Sequence, residues 1–168
     1  MQIPKEIILT DFNKEDIKNW IIVNDDVMGG VSSSQIRYTK ENQAVFSGYV
    51  SMENNGGFAS TRNKIETNIL AGCSKILLRL KGDGKMYKFR LRTDNYLDGI
   101  SYSCDFLTNK DKWMEIQLPL EDFIPTYRGN ILTNVGPIKA EHIHQVGLLI
   151  SDKQAGPFSI TLDWIKCI

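Results

Sequence analysis

An alternation of apolar and charged residues in two neighbouring segments is the feature that most constrains this fold. In KILLRLK (Lys75–Lys81) and in MYKFRLR (Met86–Arg92), every second residue is apolar. Because successive side chains of a β-strand point to opposite faces, each segment predicts a strand with one face in the core. The glycines of the intervening GDG (82–84) favour a tight turn. We therefore predict that the two strands pair as an antiparallel hairpin.

Similar short segments recur along the chain, separated by turn-forming residues. They are SYSCDFL, WMEIQLP, VFSGYVSM, FSITLDWI and HQVGLLIS, the last of which is apolar on both faces and predicts a central strand. Helix patterns are short and occur in NKEDIKNW (13–20), with Asn13 as the N-cap, and in PLEDF (119–123). This pattern predicts an all-β fold, a two-sheet sandwich or jelly roll with one or two short helices. The 168 residues fit a single domain, residues 1–168.

Charge and cysteine content narrow the class of protein. Twenty basic residues balance twenty acidic ones, so no overall field attracts nucleic acid or anionic lipid, and we expect no nucleic-acid partner. We also expect no membrane span, secretory signal or transit peptide, and hence a cytoplasmic protein. Cys73, Cys104 and Cys167 are odd in number and widely spaced, which favours reduced, mostly buried thiols over a disulfide framework.

The outward residues of the predicted hairpin form a local basic strip. Its members are Lys88, Arg90 and Arg92, with Arg79 and Lys81 nearby. Binding of nucleic acid or sugar by stacking would need aromatic residues on the same face, whereas Tyr87 and Phe89 fall on the opposite one. We interpret the strip as a solvated or partly paired sheet face.

The segment VNDDVMGGVSSS (23–34) is the strongest candidate for a functional loop. Asn24, Asp25 and Asp26 offer the hard oxygen ligands that calcium prefers. Gly29 and Gly30 lack the spacing of a phosphate-binding loop, and a strand-like segment follows them. The residue types favour a third interpretation, a tight loop in which Asn24 and Asp25 accept backbone hydrogen bonds and both glycines supply positive φ.

Arg62, after GGFAST, and Arg128, in TYRG, are isolated arginines in predicted loops. A guanidinium group fits a carboxylate, so either residue could clamp the acidic pair Asp25 and Asp26. The surface that we expect to bind a partner therefore combines the loop with both arginines. Its residues are Asn24, Asp25, Asp26, Met28, Gly29, Gly30, Ser32, Arg62 and Arg128.

Five segments of the chain carry a family resemblance. They are WIIVNDDVMGGVSSS, FSGYVSMENNGGFASTR, LRLKGDGKMYKFRLR, W...IQLPLEDFIPTYRG and IHQVGLLISDKQAGPFSITLDWI. Together they resemble the complex I intermediate-associated protein 30 family, and NDDVMGGVS is the most specific piece. The resemblance runs in order from about residue 12 to residue 165. It implies a galactose-binding-like jelly roll, similar to that of several carbohydrate-binding modules. In eukaryotes such proteins act as mitochondrial assembly factors for NADH:ubiquinone oxidoreductase, and small stand-alone versions occur in bacteria.

The resemblance implies a non-catalytic, single-domain binding or assembly module with a protein partner. Neither a G-x-S-x-G motif nor a Ser-His-Asp order is recognisable, so we predict no catalytic residues, although paired carboxylates for glycoside hydrolysis stay open. On a strand, His142 and His144 would share one face, as two metal ligands need. We favour the alternative that both histidines are exposed at a strand edge. Jelly rolls of the carbohydrate-binding type often hold a structural calcium. The residues of this chain that correspond to its ligands are Asp11 and Asp163. This ligand set is incomplete, so we expect no cofactor or metal.

A carbohydrate-binding module is the alternative function that the implied fold allows. Fold alone does not decide it, since a sugar site needs exposed aromatic rings as platforms. The candidate rings are Trp20, Tyr38, Tyr49, Tyr96, Tyr102 and Trp113.

Overall fold

Antiparallel strands dominate this structure, a computed structural model that describes residues 6–94 and 99–168. Strands account for 51% of the residues and helices for 9%, so the predicted all-β class is confirmed. The strands form two sheets that pack face to face as a sandwich.

The first sheet contains six strands among the described residues. They are β1 (Ile7–Thr10), β3 (Ser33–Tyr38), β4 (Ala44–Val50), β6 (Lys75–Lys81), β9 (Trp113–Pro119) and β13 (Gly156–Cys167). Their order is β3-β4-β13-β6-β9, and β1 pairs with the last residues of β13. The long strand β13 therefore lies between β6 on one side and both β4 and β1 on the other.

The second sheet contains seven strands within the same described ranges. They are β2 (Ile21–Ile22), β5 (Ala59–Lys64), β7 (Met86–Arg92), β8 (Ser101–Leu107), β10 (Ile124–Tyr127), β11 (Asn130–Ile131) and β12 (Gln145–Ile150). Their order is β11-β10-β8-β7-β12-β5-β2. Every residue of β12 is buried between β7 and β5, which confirms the central strand predicted from HQVGLLIS.

The predicted hairpin of β6 and β7 is wrong, although both strands have the predicted bounds. β6 pairs with β13 and β9 in the first sheet, whereas β7 pairs with β12 and β8 in the second. The glycine link therefore carries the chain from one sheet to the other. Alternation identifies the buried face of a strand and leaves its neighbour undetermined. The two apolar faces meet across the core instead of lying side by side.

Apolar side chains of both sheets meet in one hydrophobic core. Its fully buried members include Phe46, Leu78, Leu80 and Ile160 from the first sheet and Tyr87, Phe89, Leu91 and Leu148 from the second. Phe158 packs edge-on against Phe46 of the same sheet, with ring centroids 5.1 Å apart, and against Tyr87 of the other at 6.5 Å. Each such side chain contributes roughly 1.5–3 kcal/mol through its removal from water.

Helices are short and lie in the connections. They are α1 (Lys14–Ile17) and the 3₁₀ helices Asp25–Met28, Glu53–Asn55, Leu120–Asp122 and Ala140–His142. Asn13 caps α1 as predicted, because its side chain accepts hydrogen bonds from the N–H groups of Glu15 (3.0 Å) and Asp16 (2.9 Å). None of the helices in the described ranges has the length and apolar character needed to cross a membrane.

The expectation of reduced thiols is wrong for two of the three cysteines. Cys73 and Cys167 form a disulfide, with Cα atoms 6.0 Å apart, within the range that a disulfide spans. The turn before β6 and the end of β13 bring together residues that are 94 positions apart, a proximity that local spacing does not reveal. Cys104 is a half-buried free thiol. Burial and the nearby carboxylates of Asp122 and Asp105 raise its pKa, which makes it a weak nucleophile.

Candidate functional site

The carboxylate of Asp25 is the centre of the loop between β2 and β3, and its side chain is fully buried. Ser32 donates to it twice, from its N–H at 2.9 Å and from its hydroxyl at 2.5 Å. The N–H groups of Gly57 and Phe58 donate at 2.7 and 3.2 Å. These donors come from two different loops. Asp25 therefore ties the β2–β3 loop to the β4–β5 loop, an arrangement that we call the Asp25 clamp.

Glycines make room for this carboxylate. A Cβ atom on Gly30 would lie 2.4 Å from Cγ of Asp25, and one on Gly56 would lie 2.5 Å from Oδ2. Both positions therefore exclude a side chain through close contact. Gly29 has a φ of 89° and ends the 3₁₀ helix Asp25–Met28, so the predicted positive φ is confirmed there. The same prediction is wrong for Gly30, whose φ is not positive.

Asn24 connects the same loop to strands of both sheets. Its buried Oδ1 accepts hydrogen bonds from the hydroxyl of Ser34 on β3 (2.7 Å) and from the N–H of Ser60 on β5 (3.3 Å). The N–H of Val23 donates to the carbonyl of Ser60 at 2.9 Å, which continues the pairing of β2 with β5. Asn24 and Asp25 thus accept backbone hydrogen bonds, as the third interpretation of the loop predicts.

The electrostatics of the clamp favour a structural role. Burial by itself would raise the pKa of Asp25, but the Ser32 hydroxyl and the N–H groups of Gly57, Ser32 and Phe58 outweigh it and lower the pKa. The carboxylate is therefore ionised, and protein donors surround it in place of a cation. Its negative charge also opposes a phosphate group in this loop. Neither the calcium nor the phosphate hypothesis gains support from the geometry.

Three exposed apolar side chains lie in or next to the segments that the clamp joins. Val31, Tyr49 and Met52 are 48%, 54% and 42% exposed. Val31 precedes Ser32 and Met52 follows Ser51, and the N–H of Ser51 donates to the hydroxyl oxygen of Ser32 at 2.9 Å. Tyr49 lies on β4 and pairs with Ser33 at the start of β3. We call Val31, Tyr49 and Met52 the loop-end patch.

The remaining predicted residues of this segment have different environments. Asp26 and Gly29 are exposed, whereas Ser32 is buried as the partner of Asp25. The side chain of Met28 lies outside the described residues. Sequence reasoning missed Gly56, Gly57 and the backbone of Phe58, which supply space or donors to the clamp. The signal for them is the NNGGF run that follows β4.

The two arginines do not complete this site. Arg62 lies within β5, so its predicted loop placement is wrong. Arg128 does lie in a turn, between β10 and β11, with its guanidinium 5.2 Å from the centroid of the Tyr127 ring. Strands β8, β7, β12 and β5 separate β10 from β2, where the loop begins. Five strand spacings amount to roughly 24 Å, so Arg128 and the clamp lie near opposite edges of the sheet.

The predicted basic strip is divided between the two sheets, because β6 and β7 do not pair. Arg79 lies on the first sheet, where its Nε donates to Asp163 at 3.1 Å. Lys88 lies on the second sheet and pairs with Asp105 at 2.8 Å and with Asp152 at 3.2 Å. The interpretation as a partly paired face is confirmed for Lys88 and Arg79.

A cluster of arginines that the sequence did not reveal lies on the outer face of the second sheet. Arg62 and Arg92 are only 7% and 6% exposed, and Arg90 is half-buried. Arg62 and Arg90 lie in register on either side of Gly147 in β12. We call Arg62, Arg90 and Arg92 the arginine cluster. The sequence signal for it is a glycine inside an otherwise apolar central strand.

The candidate metal ligands have other partners. Asp163 accepts the hydrogen bond from Arg79, and Asp11 accepts from the N–H (3.3 Å) and Nδ2 (3.0 Å) of Asn13. The described part of the chain contains no group of three or more His, Cys, Asp or Glu side chains that could hold a metal ion. His142 is exposed in a 3₁₀ helix and His144 precedes β12, so the predicted shared strand face is wrong.

The candidate aromatic rings do not form one platform. Trp20 and Tyr102 are buried, at 5% and 7% exposure. Of the candidate rings, Tyr38, Tyr49 and Trp113 are exposed. Tyr38 and Trp113 lie on β3 and β9, which are opposite edges of the first sheet. Tyr96 lies outside the described residues.

Comparison with known sequences matches most of the chain to one protein family. The sequence model of the complex I intermediate-associated protein 30 family matches residues 10–162. The protein named "Complex I intermediate-associated protein 30, mitochondrial" from Mus musculus is 26% identical over 90% of this chain and 52% of its own length. A probable protein of the same name from Caenorhabditis elegans is 27% identical over 90% of this chain and 46% of its own. The chain thus spans about half the length of these curated relatives.

Two solved carbohydrate-binding modules share this architecture. The family 11 module of cellulase Lic26A-Cel5E from Clostridium thermocellum superimposes with a TM-score of 0.75 at 19% identity, over 99% of this chain and 96% of that one. The Clostridium thermocellum family 11 module in complex with a β-1,3-1,4-mixed-linked tetrasaccharide gives 0.72 at 19% identity, over 97% and 95%. At this identity the likeness establishes the fold alone, and it confirms the predicted galactose-binding-like jelly roll.

Proposed function

We propose that this chain, which belongs to the complex I intermediate-associated protein 30 family, is a non-catalytic module that binds a partner protein during assembly of a respiratory complex. Its binding surface is the loop-end patch. The observation that carries the proposal is that Val31, Tyr49 and Met52 are exposed in or next to the segments that the buried Asp25 clamp ties together.

The chemistry of the patch is suited to a protein surface. Tyrosine and methionine are enriched at protein interfaces, and exposed apolar area gains about 25 cal/mol per Å² when a partner covers it. A loop that is already ordered loses little conformational entropy on binding. The hydrogen bonds from Ser32 and Gly57 to Asp25 supply this order before a partner arrives. A rigid apolar patch therefore favours a partner of defined shape.

The relatives indicate the kind of partner. Their names associate them with intermediates of complex I, and their matched region covers 90% of this chain. We therefore place the partner among the proteins of such an assembly intermediate. These relatives are named mitochondrial, and the cytoplasmic location expected from this sequence stays a prediction.

The environment of the reactive side chains supports a binding role over a catalytic one. The buried carboxylate of Asp25 is engaged by protein donors, and the thiol of Cys104 has a raised pKa. His142 lies in a 3₁₀ helix and His144 in the connection that precedes β12, so the two do not share a strand face. These groups do not provide the nucleophile, base and oxyanion stabiliser that catalysis requires in one place.

Carbohydrate binding has less support than protein binding. The fold is shared with carbohydrate-binding modules, but fold does not determine the ligand. Two of the candidate rings, Trp20 and Tyr102, belong to the core. Trp113 lies at one edge of the first sheet, whereas Tyr38 and Tyr49 lie on the two strands at the other edge, so the three exposed candidate rings do not form one continuous platform.

Site-specific photo-crosslinking in the native cell tests the proposal. A photoreactive amino acid is placed at Val31 or Met52, and at Ile69 as a control, because Met52 and Ile69 are both 42% exposed. We expect a discrete protein adduct from the patch positions and none from Ile69. Equal labelling at all three positions would contradict the proposal, and so would an absence of adducts combined with selective binding on a glycan array.

A further inference from the structure

Strand β9 forms an open edge of the first sheet. It ends the strand order β3-β4-β13-β6-β9, and β6 is the strand among the described elements that pairs with it. At the opposite edge of the sheet, α1 and β2 lie beside β3. The seven residues of β9 include no lysine, its register with β6 has no bulge, and its one proline, Pro119, is the last residue. β9 therefore lacks most of the features with which proteins block pairing at a sheet edge.

The backbone groups of β9 alternate between β6 and the open edge. The N–H of Leu120, directly after β9, donates to the carbonyl of Ser74, directly before β6, at 2.9 Å. Because N–H and C=O groups alternate in direction along a strand, every second residue before Leu120 also bonds to β6. The residues between them direct these groups away from the sheet. This outward set is Trp113, Glu115, Gln117 and Pro119, of which Pro119 has no N–H.

The inner face of β9 is incompletely covered. Met114 and Ile116 point toward the core but are half-buried. Leu80 and Leu78, which pair with them on β6, are fully buried. A strand added beside β9 would bring its own side chains next to Met114 and Ile116 and remove more apolar surface from water.

The polar side chains of β9 are complementary to a second copy of β9. When a two-fold axis relates two antiparallel edge strands, the position of the axis decides which residues lie opposite each other. An axis at Glu115 would place two carboxylates directly opposite, which is unfavourable. An axis at Ile116 places Glu115 opposite Gln117 of the second copy. Lys75 donates to Oε1 of Gln117 at 3.4 Å, which leaves the Nε2 group of Gln117 as the donor for that carboxylate.

The apolar residues of β9 match in the same register. Ile116 meets its own copy at the axis, and Met114 lies opposite Leu118. Trp113 lies opposite Pro119, so the missing N–H of the proline costs one hydrogen bond while its ring contacts the indole. Each apolar side chain of one copy thus faces an apolar side chain of the other, and each such cross-strand pair stabilises the added strand.

We propose that β9 is a self-association surface, through which two copies of this chain pair antiparallel about Ile116 and join their first sheets into one continuous sheet. The occupant is a second copy because the sequence of β9 pairs acid with amide and apolar with apolar when it meets itself. The loop-end patch lies beside β3 and β4, at the other edge of the sheet. The pairing leaves that patch accessible and does not require it, so this inference goes beyond the proposed function.

Sedimentation velocity of the full chain over about 1–200 µM tests the pairing. We expect the wild type to convert from monomer to dimer as the concentration rises. Gln117→Glu places a second carboxylate opposite Glu115 at two symmetric positions, so it should raise the dissociation constant of the dimer roughly tenfold. The double variant Glu115→Gln/Gln117→Glu exchanges the two side chains and should restore the wild-type constant. Both residues are exposed, so neither variant removes a buried group.

Two results of this experiment would overturn the proposal. One is a wild type that stays monomeric throughout, which would leave a strand of another protein as the partner of β9. The other is a wild-type dimer whose dissociation constant does not respond to Gln117→Glu, or is not restored by the double variant, because such a dimer forms elsewhere or in another register.

Engineered cysteines test the register in a Cys104→Ser background. Ile116→Cys places two thiols directly opposite at the axis, with Cα atoms roughly 4.5 Å apart, within the range of a disulfide. Glu115→Cys is the matched control, because position 115 is more exposed but lies roughly 8–9 Å from its own copy. We expect mild oxidation to link Ile116→Cys into a dimer on a non-reducing gel and to leave Glu115→Cys unlinked. Equal linkage of both variants, linkage of Glu115→Cys alone, or linkage of neither would overturn the assignment.

Discussion

The backbone N–H of Gly57 donates a 2.7 Å hydrogen bond to the carboxylate of Asp25, which lies 32 residues earlier in the chain. This bond joins the loop before β5 to the loop after β2, and Ser32 donates to the same carboxylate from within the first loop. Because Asp25 is fully buried, its loss would leave these donors without water as a replacement. One end of the sandwich therefore depends on a single ionised side chain.

Replacement of Asp25 by Asn should lower the free energy of unfolding by about 2–3 kcal/mol. The variant loses hydrogen bonds to a charged acceptor, and its amide brings a donor group into a site that needs an acceptor. Urea denaturation followed by tryptophan fluorescence measures this change. Asp26→Asn is the matched control, since Asp26 is exposed, and it should change the stability by less than about 0.5 kcal/mol. Equal stabilities for the two variants would contradict the clamp.

The clamp should also make the free energy of unfolding depend on pH in the acid range. The pKa of Asp25 in the folded chain lies below its ordinary value of 3.8, so its stabilisation is complete above that pH. It is lost as the pH falls through the folded-state pKa, because the unfolded chain takes up the proton more readily. The difference in stability between the wild type and Asp25→Asn should therefore narrow between pH 6 and pH 2.5. A difference that stays constant over this range would show that Asp25 does not titrate as described.

Replacement of Gly30 by Ala should destabilise the fold by about 1–3 kcal/mol, because the added methyl group would overlap the Asp25 carboxylate. Gly136→Ala is the control, since a Cβ atom there meets nothing within 4 Å. Neither glycine has a positive φ, so the comparison isolates the contact from backbone strain. Thermal melts of both variants measure the effect. A Gly30→Ala variant as stable as Gly136→Ala would be inconsistent with the close contact.

Reduction of the Cys73–Cys167 disulfide should lower the free energy of unfolding by about 2–4 kcal/mol, because the link closes a long loop in the unfolded chain. Urea denaturation with and without a phosphine reductant measures the loss. Cys104→Ser, which leaves the disulfide intact, should keep the sensitivity to reductant. Mass spectrometry that finds three alkylated thiols in the unreduced, denatured protein would contradict the link.

Hydrophobic alternation located the strands of this fold but did not pair them. The bounds of β6 and β7 agree with the two alternating segments, because a half-buried strand displays its period in the sequence. Their pairing depends on which strands lie beside them, and β13, some 80 residues later, is the partner of β6. β5 was missed because its sequence, ASTRNK, has almost no apolar alternation. Its inner Ala59 and Thr61 are buried by tertiary packing alone.

The candidate site was only half predictable for a similar reason. The acid and glycine residues after β2 indicated a tight loop, and Asn24 and Asp25 do accept hydrogen bonds there. The donors from Gly57 and Phe58 lie 32 and 33 residues away, beyond the reach of a local pattern. The arginine cluster forms only where β5 and β7 flank β12, so the adjacency of Arg62 and Arg90 follows from sheet order.

Native gel electrophoresis of cell extracts tests the central claim most directly. The measurement is the fraction of this 19.1 kDa chain that migrates with a larger protein assembly. We expect the wild type and Ile69→Asp to co-migrate with that assembly, and the double variant Val31→Asp/Met52→Asp to migrate as the free chain while it retains the wild-type melting temperature. Equal co-migration of all three proteins, or migration of the wild type as the free chain, would contradict the account.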